Sequence, residues 1–317
     1  MRKEFNFAPN GTGNQPASPQ QHPDRRLNII HSISKKQLCS QIIAHVDNLP
    51  PLPTVVAQLL KLLQDDNTTA LQVEELLKQD PTLAARILRL VNSAFFALRN
   101  KISSIPHAVV LLGYKTIKNL VLAASVYKLV NGAFPGYGYK EAGLWHHSVM
   151  TANWSEKLAK LLGWPTEEVQ EIFVVGLLHD IGKIVMSTYV GEHVKDMISC
   201  LLETKGDLVC AEQNLIGVDH AEIGARIAEK WNFPDNLSHI INKHHEQETG
   251  NGHYKETALI QLVDYMINKK HIGMYDNFPI DHPLPSHCLD ILGIYGETFT
   301  AIQDQIDENT DKLLEQI

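Results

Sequence analysis

From Lys36 onward, apolar positions recur every three or four residues, the spacing of helices that turn one face to a core. Leu38, Ile42, Ile43 and Val46 mark the first such face, which stops at the breaker Leu49-Pro50-Pro51-Leu52-Pro53. Thr54 opens a second face carrying Val55, Leu59, Leu60, Leu62 and Leu63. Helices over 70–78 and 80–92 follow. In the latter, Asp80 is an N-cap and Pro81 takes the first helical position, where a missing N–H costs little. Residues 105–129 read as two helices, with Gly113 suited to ending the first. The run 133–139, with Gly132, Pro135, Gly136 and Gly138, interrupts the pattern. Beyond it helices are expected over 143–162, 166–179, 191–204, 208–214, 220–231, 235–247, 255–269 and 287–316.

No two-residue alternation and no internal repeat competes with this reading, so the fold class is all-α. Residues 1–33, rich in Asn, Pro, Gln and Gly without a hydrophobic period, predict a flexible tail. The remaining organisation is an N-terminal helical half over 34–131, a second helical half over 140–270, and a C-terminal helical extension over 271–317.

Composition narrows the functional classes. With 317 residues and 44% hydrophobic content, the chain can build two cores or one large one. No run of about 18 apolar residues is seen and the start lacks a signal-peptide core, so a cytoplasmic protein without a membrane segment is expected. Cys39, Cys200, Cys210 and Cys288 form no CxxC, which predicts free, mostly buried thiols. The net charge of −8 argues against a general nucleic-acid or anionic-membrane surface, while leaving room for a local phosphate pocket.

Against that background, an ordered series of metal-ligand types stands out in the second half: His147, His179-Asp180, His220, His244-His245 and Asp264. His147 sits in Leu144-Trp145-His146-His147-Ser148, where either histidine fits by composition. His179 and Asp180 close the apolar run 172–178 just before Gly182, which is expected to end that helix. A carboxylate there needs a partner, and a cation would provide one. Asp219, His220 and Glu222 resemble a capping box, most simply a structural feature. On a helix His244 and His245 would point about 100° apart, which argues against their sharing one ion. Asp264 lies on an apolar face with Ile260 and Ile267, and so calls for a metal or a lysine.

Taken together, the series resembles the pattern of the HD superfamily of metal-dependent phosphohydrolases. Within it, the stretch from about Gln41 to Lys270 is most similar to the HDOD family of bacterial signalling proteins. The resemblance is carried by Leu49-Pro50-Pro51-Leu52-Pro53, Asp80-Pro81-Thr82-Leu83, Arg86-Ile87-Leu88-Arg89-Leu90-Val91-Asn92-Ser93, Ala108-Val109-Val110-Leu111-Leu112-Gly113, Leu144-Trp145-His146-His147-Ser148, Gly176-Leu177-Leu178-His179-Asp180-Ile181-Gly182-Lys183 and His220-Ala221-Glu222-Ile223-Gly224.

The resemblance implies a multi-helix HDOD fold, with the N-terminal half packed on an HD-like half, and a regulatory role in signal transduction. It further implies a basic ligand set of His147, His179, Asp180 and Asp264. His220, His244 and His245 match positions that hold a second ion in HD-GYP cyclic-dinucleotide phosphodiesterases. The Gly-Tyr-Pro signature of that group is replaced here by Gln247-Glu248-Thr249-Gly250-Asn251-Gly252-His253-Tyr254, and Gly143 stands where some of its members carry a further glutamate ligand.

One or two divalent ions, iron or manganese by the ligand types, are the expected cofactor. If the centre is catalytic, it would activate water for attack on phosphorus, with Asp180 bridging and orienting the nucleophile and Lys183 holding a phosphate oxygen. Lys243 and Arg226 are further basic candidates. The expected partners are a nucleotide or phosphodiester ligand and a signalling protein acting in trans. Three functions share these ligands: a regulatory module, a nucleotide phosphohydrolase or phosphodiesterase, and a di-iron redox or oxygen-sensing protein.

Overall fold

Helix boundaries in the first half follow its prolines and capping residues. The computed structural model describes residues 34–63, 65, 67–92, 101–246, 254–276 and 278–314. The expected tail over 1–33 lies outside them. Helix α1 (Lys35–Asp47) buries Leu38, Ile42 and Val46, and α2 (Thr54–Leu62) starts directly after Pro53. Thr69 opens α3 (Ala70–Leu77) through a reciprocal capping box with Gln72. Asp80 caps α4 (Pro81–Val91), its carboxylate accepting from the Leu83 amide at 2.9 Å.

The next helix, α5 (Ile105–Val130), is interrupted at Gly113, where φ is +78° and ψ 163°. That conformation is open to glycine and strained for other residues, so the two-helix reading of this stretch holds. The window Ile105–Tyr127 is long and apolar enough to cross a membrane by length and composition alone, contrary to the sequence expectation. Half of it is buried, and α2, α3, α4 and α7 pack on it, as on a core helix of a folded unit.

The helical run then breaks at the expected place, with a single 3-10 turn at Pro135–Tyr137 and isolated bridges joining Tyr139 to Phe134 and to Met274. After it come α6 (Gly143–Leu161), α7 (Thr166–Leu178), α8 (Gly182–Val190), α9 (Val194–Glu203), α10 (Leu208–Leu215), α11 (His220–Lys230), α12 (Asp235–Lys243), α13 (Tyr254–Asn268), α14 (Ser286–Leu292) and α15 (Gly296–Leu314). No strand occurs among the described residues, so the chain is all-α.

Four expectations need correction. Gly182 does not end a helix but begins α8. A Cβ there would collide with the carbonyl of His220, so the glycine allows α8 and α11 to meet backbone to backbone. The helix expected over 235–247 ends at Lys243, which places His244 and His245 in the turn beyond it. The single helix expected over 287–316 is two helices, separated where Gly293 adopts φ +67°. The four thiols are free but not mostly buried: only Cys288 is buried, because α1, α9 and α10 turn Cys39, Cys200 and Cys210 partly or fully outward.

Helix α6 lies at the centre of the second half and is buried around most of its circumference. It packs against α7 and α13, and Gly176 brings α7 so close that a Cβ would touch the backbone of Ala152. Helices α8, α11 and α12 complete the surround, while α1 crosses α8 and α11. Six helices, α6, α7, α8, α11, α12 and α13, thereby bring ends or inner faces to one region.

Candidate metal centre

Each candidate ligand lies on a helix or in the turn directly beside one. His147 lies on the inner face of α6 and is 1% exposed, whereas the adjacent His146 is only half-buried. His179 and Asp180 occupy the tight turn between α7 and α8, His220 is the first residue of α11, and Asp264 faces inward from α13. His244 is fully buried just past α12, and His245 lies at the edge.

Two groups result. In the first, ligand atoms of His147, His179, Asp180 and Asp264 lie within 4.8 Å of one another. His147 Nε2 is 3.0 Å from Asp264 Oδ1 and 3.3 Å from Asp180 Oδ2, and His179 Nε2 is 3.4 Å from the same two oxygens. In the second, His220, His244 and His245 meet the same criterion. This corrects the expectation that the consecutive histidines diverge, because the helix has already ended and their ring centroids are 4.0 Å apart. Asp180 joins the groups, with Oδ1 3.2 Å from His220 Nε2 and 3.9 Å from His244 Nε2.

The orientation of the rings bears on what the groups could hold. His179 Nδ1 is 2.7 Å from the Gly176 carbonyl, and His244 Nδ1 is 2.7 Å from the Ile241 carbonyl, so both Nδ1 atoms donate. His220 Nδ1 is 2.7 Å from Glu212 Oε2. His179, His244 and His220 therefore turn an Nε2 lone pair inward. His147 Nε2 and His179 Nε2 face each other at 3.3 Å, and His220 Nε2 and His245 Nε2 at 3.0 Å. His244 Nε2 is buried with no hydrogen-bond partner. Where both rings of a facing pair present a lone pair, the contact is repulsive unless a cation stands between them. First-row ions bind nitrogen and oxygen at about 2.0–2.2 Å, which puts neighbouring ligand atoms roughly 3 Å apart. The donor set and its backbone and carboxylate supports fit one or two such ions.

Without a metal, protons take that place. Burial alone would lower His179, but the charges of Asp180 and Asp264 raise it to about 10. His220 is likewise opposed by burial, yet Glu212 draws it up to about 9. His244, buried beside those two cations, is pushed down to about 3. Burial would raise Asp180, but the charges of His179 and Lys183 hold it well below the usual carboxylate range.

Lys183 is not a solvated lysine beyond a helix end. It is 2% exposed, lies over the Tyr137 and Tyr139 rings, and its ammonium donates to Asp180 Oδ2 at 2.6 Å. Arg226 pairs with Glu222 at 3.0 Å and Lys243 with Glu246 at 2.7 Å. Asp219 caps α11 through the Glu222 amide at 2.9 Å, as expected, but His220 belongs to the centre. Gly143 is explained by packing, since a Cβ there would meet the carbonyl of Gly273. The Gln247–His253 stretch compared with Gly-Tyr-Pro lies outside the described residues.

The sequence reading missed Glu212, which is fully buried and also accepts from the His220 amide at 3.0 Å. Its signal was an acidic residue on the face that carries Leu208, Ala211 and Leu215. It also missed His282, whose ring stacks on His245 at 5.6 Å and for which the local pattern offered no cue. Beside both groups opens a cleft of about 410 Å³, lined by His245 and Asp264 on one side and by residues 282–287 on the other.

Comparisons with known proteins bear on the family and the fold. The HDOD domain family model matches residues 49–247. An HDOD domain protein of unknown function from Geobacter sulfurreducens superimposes with a TM-score of 0.67 at 24% identity, covering 87% of this chain and 94% of its own. A candidate phosphohydrolase from Shewanella amazonensis SB2B gives 0.65 at 26% identity, with 87% and 96% covered. An uncharacterized protein of Treponema pallidum (strain Nichols) is 25% identical over 238 residues, 75% of this chain, and the chain spans 45% of that relative's length.

Proposed function

We propose, from the premise that the chain belongs to the HDOD family, that it is a bacterial signal-transduction protein built around a divalent metal centre. His147, His179, Asp180 and Asp264 would hold one ion, and His220, His244 and His245, with Asp180 shared, a second. The nitrogen and carboxylate donors favour iron or manganese. The observation that carries the reading is the pair of facing Nε2 contacts, in each of which one ring, His179 or His220, is locked from behind by a carbonyl or a carboxylate. Lys183 keeps Asp180 ionised and in place, and so acts on the centre through Asp180 rather than on a ligand.

The cleft reaching His245 and Asp264 favours a second reading, a metal-dependent phosphohydrolase or phosphodiesterase. In that case the ions would supply Lewis acidity to a phosphate ester and to the attacking water, while the residues lining the cleft would orient the ester. A signalling partner acting in trans fits either reading.

Elemental analysis of protein purified without chelator tests the proposal. One or two transition ions per chain, lost in a His179→Ala/Asp180→Ala variant that keeps its helical circular dichroism, is the expected result. Background metal in the parent protein would overturn it. Release of product from phosphodiesters by the loaded protein would then separate the second reading from the first.

A further inference from the structure

Residues 278–288, which lead into α14, dock at three places around the metal centre, and each place is one step from a candidate ligand. Phe278 lays its ring against Gly138, where a Cβ would collide with it. Gly138 separates Tyr137 and Tyr139, the two rings over which Lys183 reaches Asp180. At the second place His282 stacks on His245, with the ring planes 27° apart. At the third, His287 Nε2 lies 3.0 Å from Gln261 Oε1, which also accepts from Cys288 Sγ at 3.1 Å, and Gln261 precedes Asp264 by about one turn of α13. Between the first two places the Asp281 amide donates to the Gly206 carbonyl at 3.2 Å, and a Cβ on Gly206 would strike the Asp281 backbone. The segment is thus held by main chain as well as by side chains.

The middle contact bears most directly on the ions. His245 lies in the turn beyond α12, and a ring on a turn must be held by its neighbours if it is to present a nitrogen to a metal. Two of its ring partners, His220 and His244, belong to the same candidate ligand group. A third, His282, comes from outside it. We infer that His282 is a positioning residue: by stacking on His245 it sets that ring for the second ion, so that docking of residues 278–288 and occupancy of the second site are linked. This names a regulation of the centre proposed above and rests on that reading. Linkage is reciprocal, so whatever affinity the docked segment adds for the ion, the ion returns as a bias towards docking. The state of a buried centre is thereby passed to α14, the helix that the segment leads into.

Two measurements on the full chain test the link from opposite ends. In the first, manganese affinity is read by competition with a chelator, and the binding step that His245→Ala removes defines the second ion. His282→Ala should weaken that step at least fivefold and the other step less than twofold. His282→Phe, which keeps a flat ring, should restore it to within twofold of the parent. In the second, Cys288, buried at the Gln261 contact, is labelled with a thiol reagent in a Cys39→Ser/Cys200→Ser/Cys210→Ser background. Saturating manganese should slow that labelling by about the factor that His282→Ala costs in affinity, and His282→Ala should abolish the slowing. A general stabilisation of the fold by metal would slow labelling of the His282→Ala chain as well. That result, a second step indifferent to His282→Ala, or His282→Phe as weak as His282→Ala overturns the inference while leaving the metal centre intact. A parent protein from which His245→Ala removes no step overturns the second site, and failure to hold any manganese overturns the centre itself, each taking this inference with it.

Discussion

Helices α1–α5 and α6–α13 are made of similar amphipathic segments, yet they bury different things. In the first group the buried polar side chains among the described residues are Thr68 and Thr116, whose hydroxyls donate to the Leu62 and Leu112 carbonyls at 2.5 and 2.6 Å. The second group buries His147, Glu156, His179, Asp180, Lys183, Glu212, His220, His244 and Asp264. Burying an ionised group costs several kcal/mol unless it is paired, as a general magnitude, so an arrangement like the second is unfavourable for stability alone. The comparison separates a region whose residues are explained by packing from one whose clustered histidines and carboxylates could hold a cation.

The sharpest way to break that contrast is Asp180→Ala. It removes the carboxylate shared by both histidine groups and leaves the Lys183 ammonium buried without its partner. Metal should fall to background by elemental analysis, and chemical denaturation should show a loss of about 3–5 kcal/mol. In the other region, Ile87→Ala opens a cavity at a fully buried position of α4 and should cost about 2–5 kcal/mol by the same measurement. Metal per folded chain should not change. Loss of metal there would show that the two regions are not separable.

Smaller effects sharpen the picture. Burial raises Glu156 to about 7 despite its 2.6 Å contact with Lys160, so the folded state holds that proton more tightly than the unfolded one. Stability should therefore fall as pH rises from 4.5 towards 7 and stay lower above. Glu156→Gln should gain roughly 1–3 kcal/mol at alkaline pH and little at the acid end of that window, read as the difference between thermal midpoints. Glu212→Gln keeps the shape behind His220 but removes the charge. Metal affinity at the second group should weaken about ten- to a hundredfold in competition with a chelator.

Much of this architecture is legible in the sequence because helical period, prolines and caps are local signals. Thr54, Pro81 and Gly113 mark boundaries that the structure keeps. The ligand series was legible as an ordered set of residue types. Its convergence was not, because that depends on where helices stop. His244 and His245 come together only because α12 ends at Lys243, and α8 was hidden because Gly182 reads locally as a terminator while its tertiary role is to admit α11. Glu212 and Gln261 act through partners eight and more than twenty residues away, distances at which no local pattern speaks.

The contact between Gly182 and the His220 carbonyl has a consequence for how tolerance to substitution should be read across this chain. A saturation library scored only for growth or signal would rank Gly182 alongside Asp180, since any side chain acts as a wedge that parts α8 from α11 and pulls two ligand-bearing turns out of register. The two positions would share a phenotype while differing in kind, one selected for its chemistry and the other for having none.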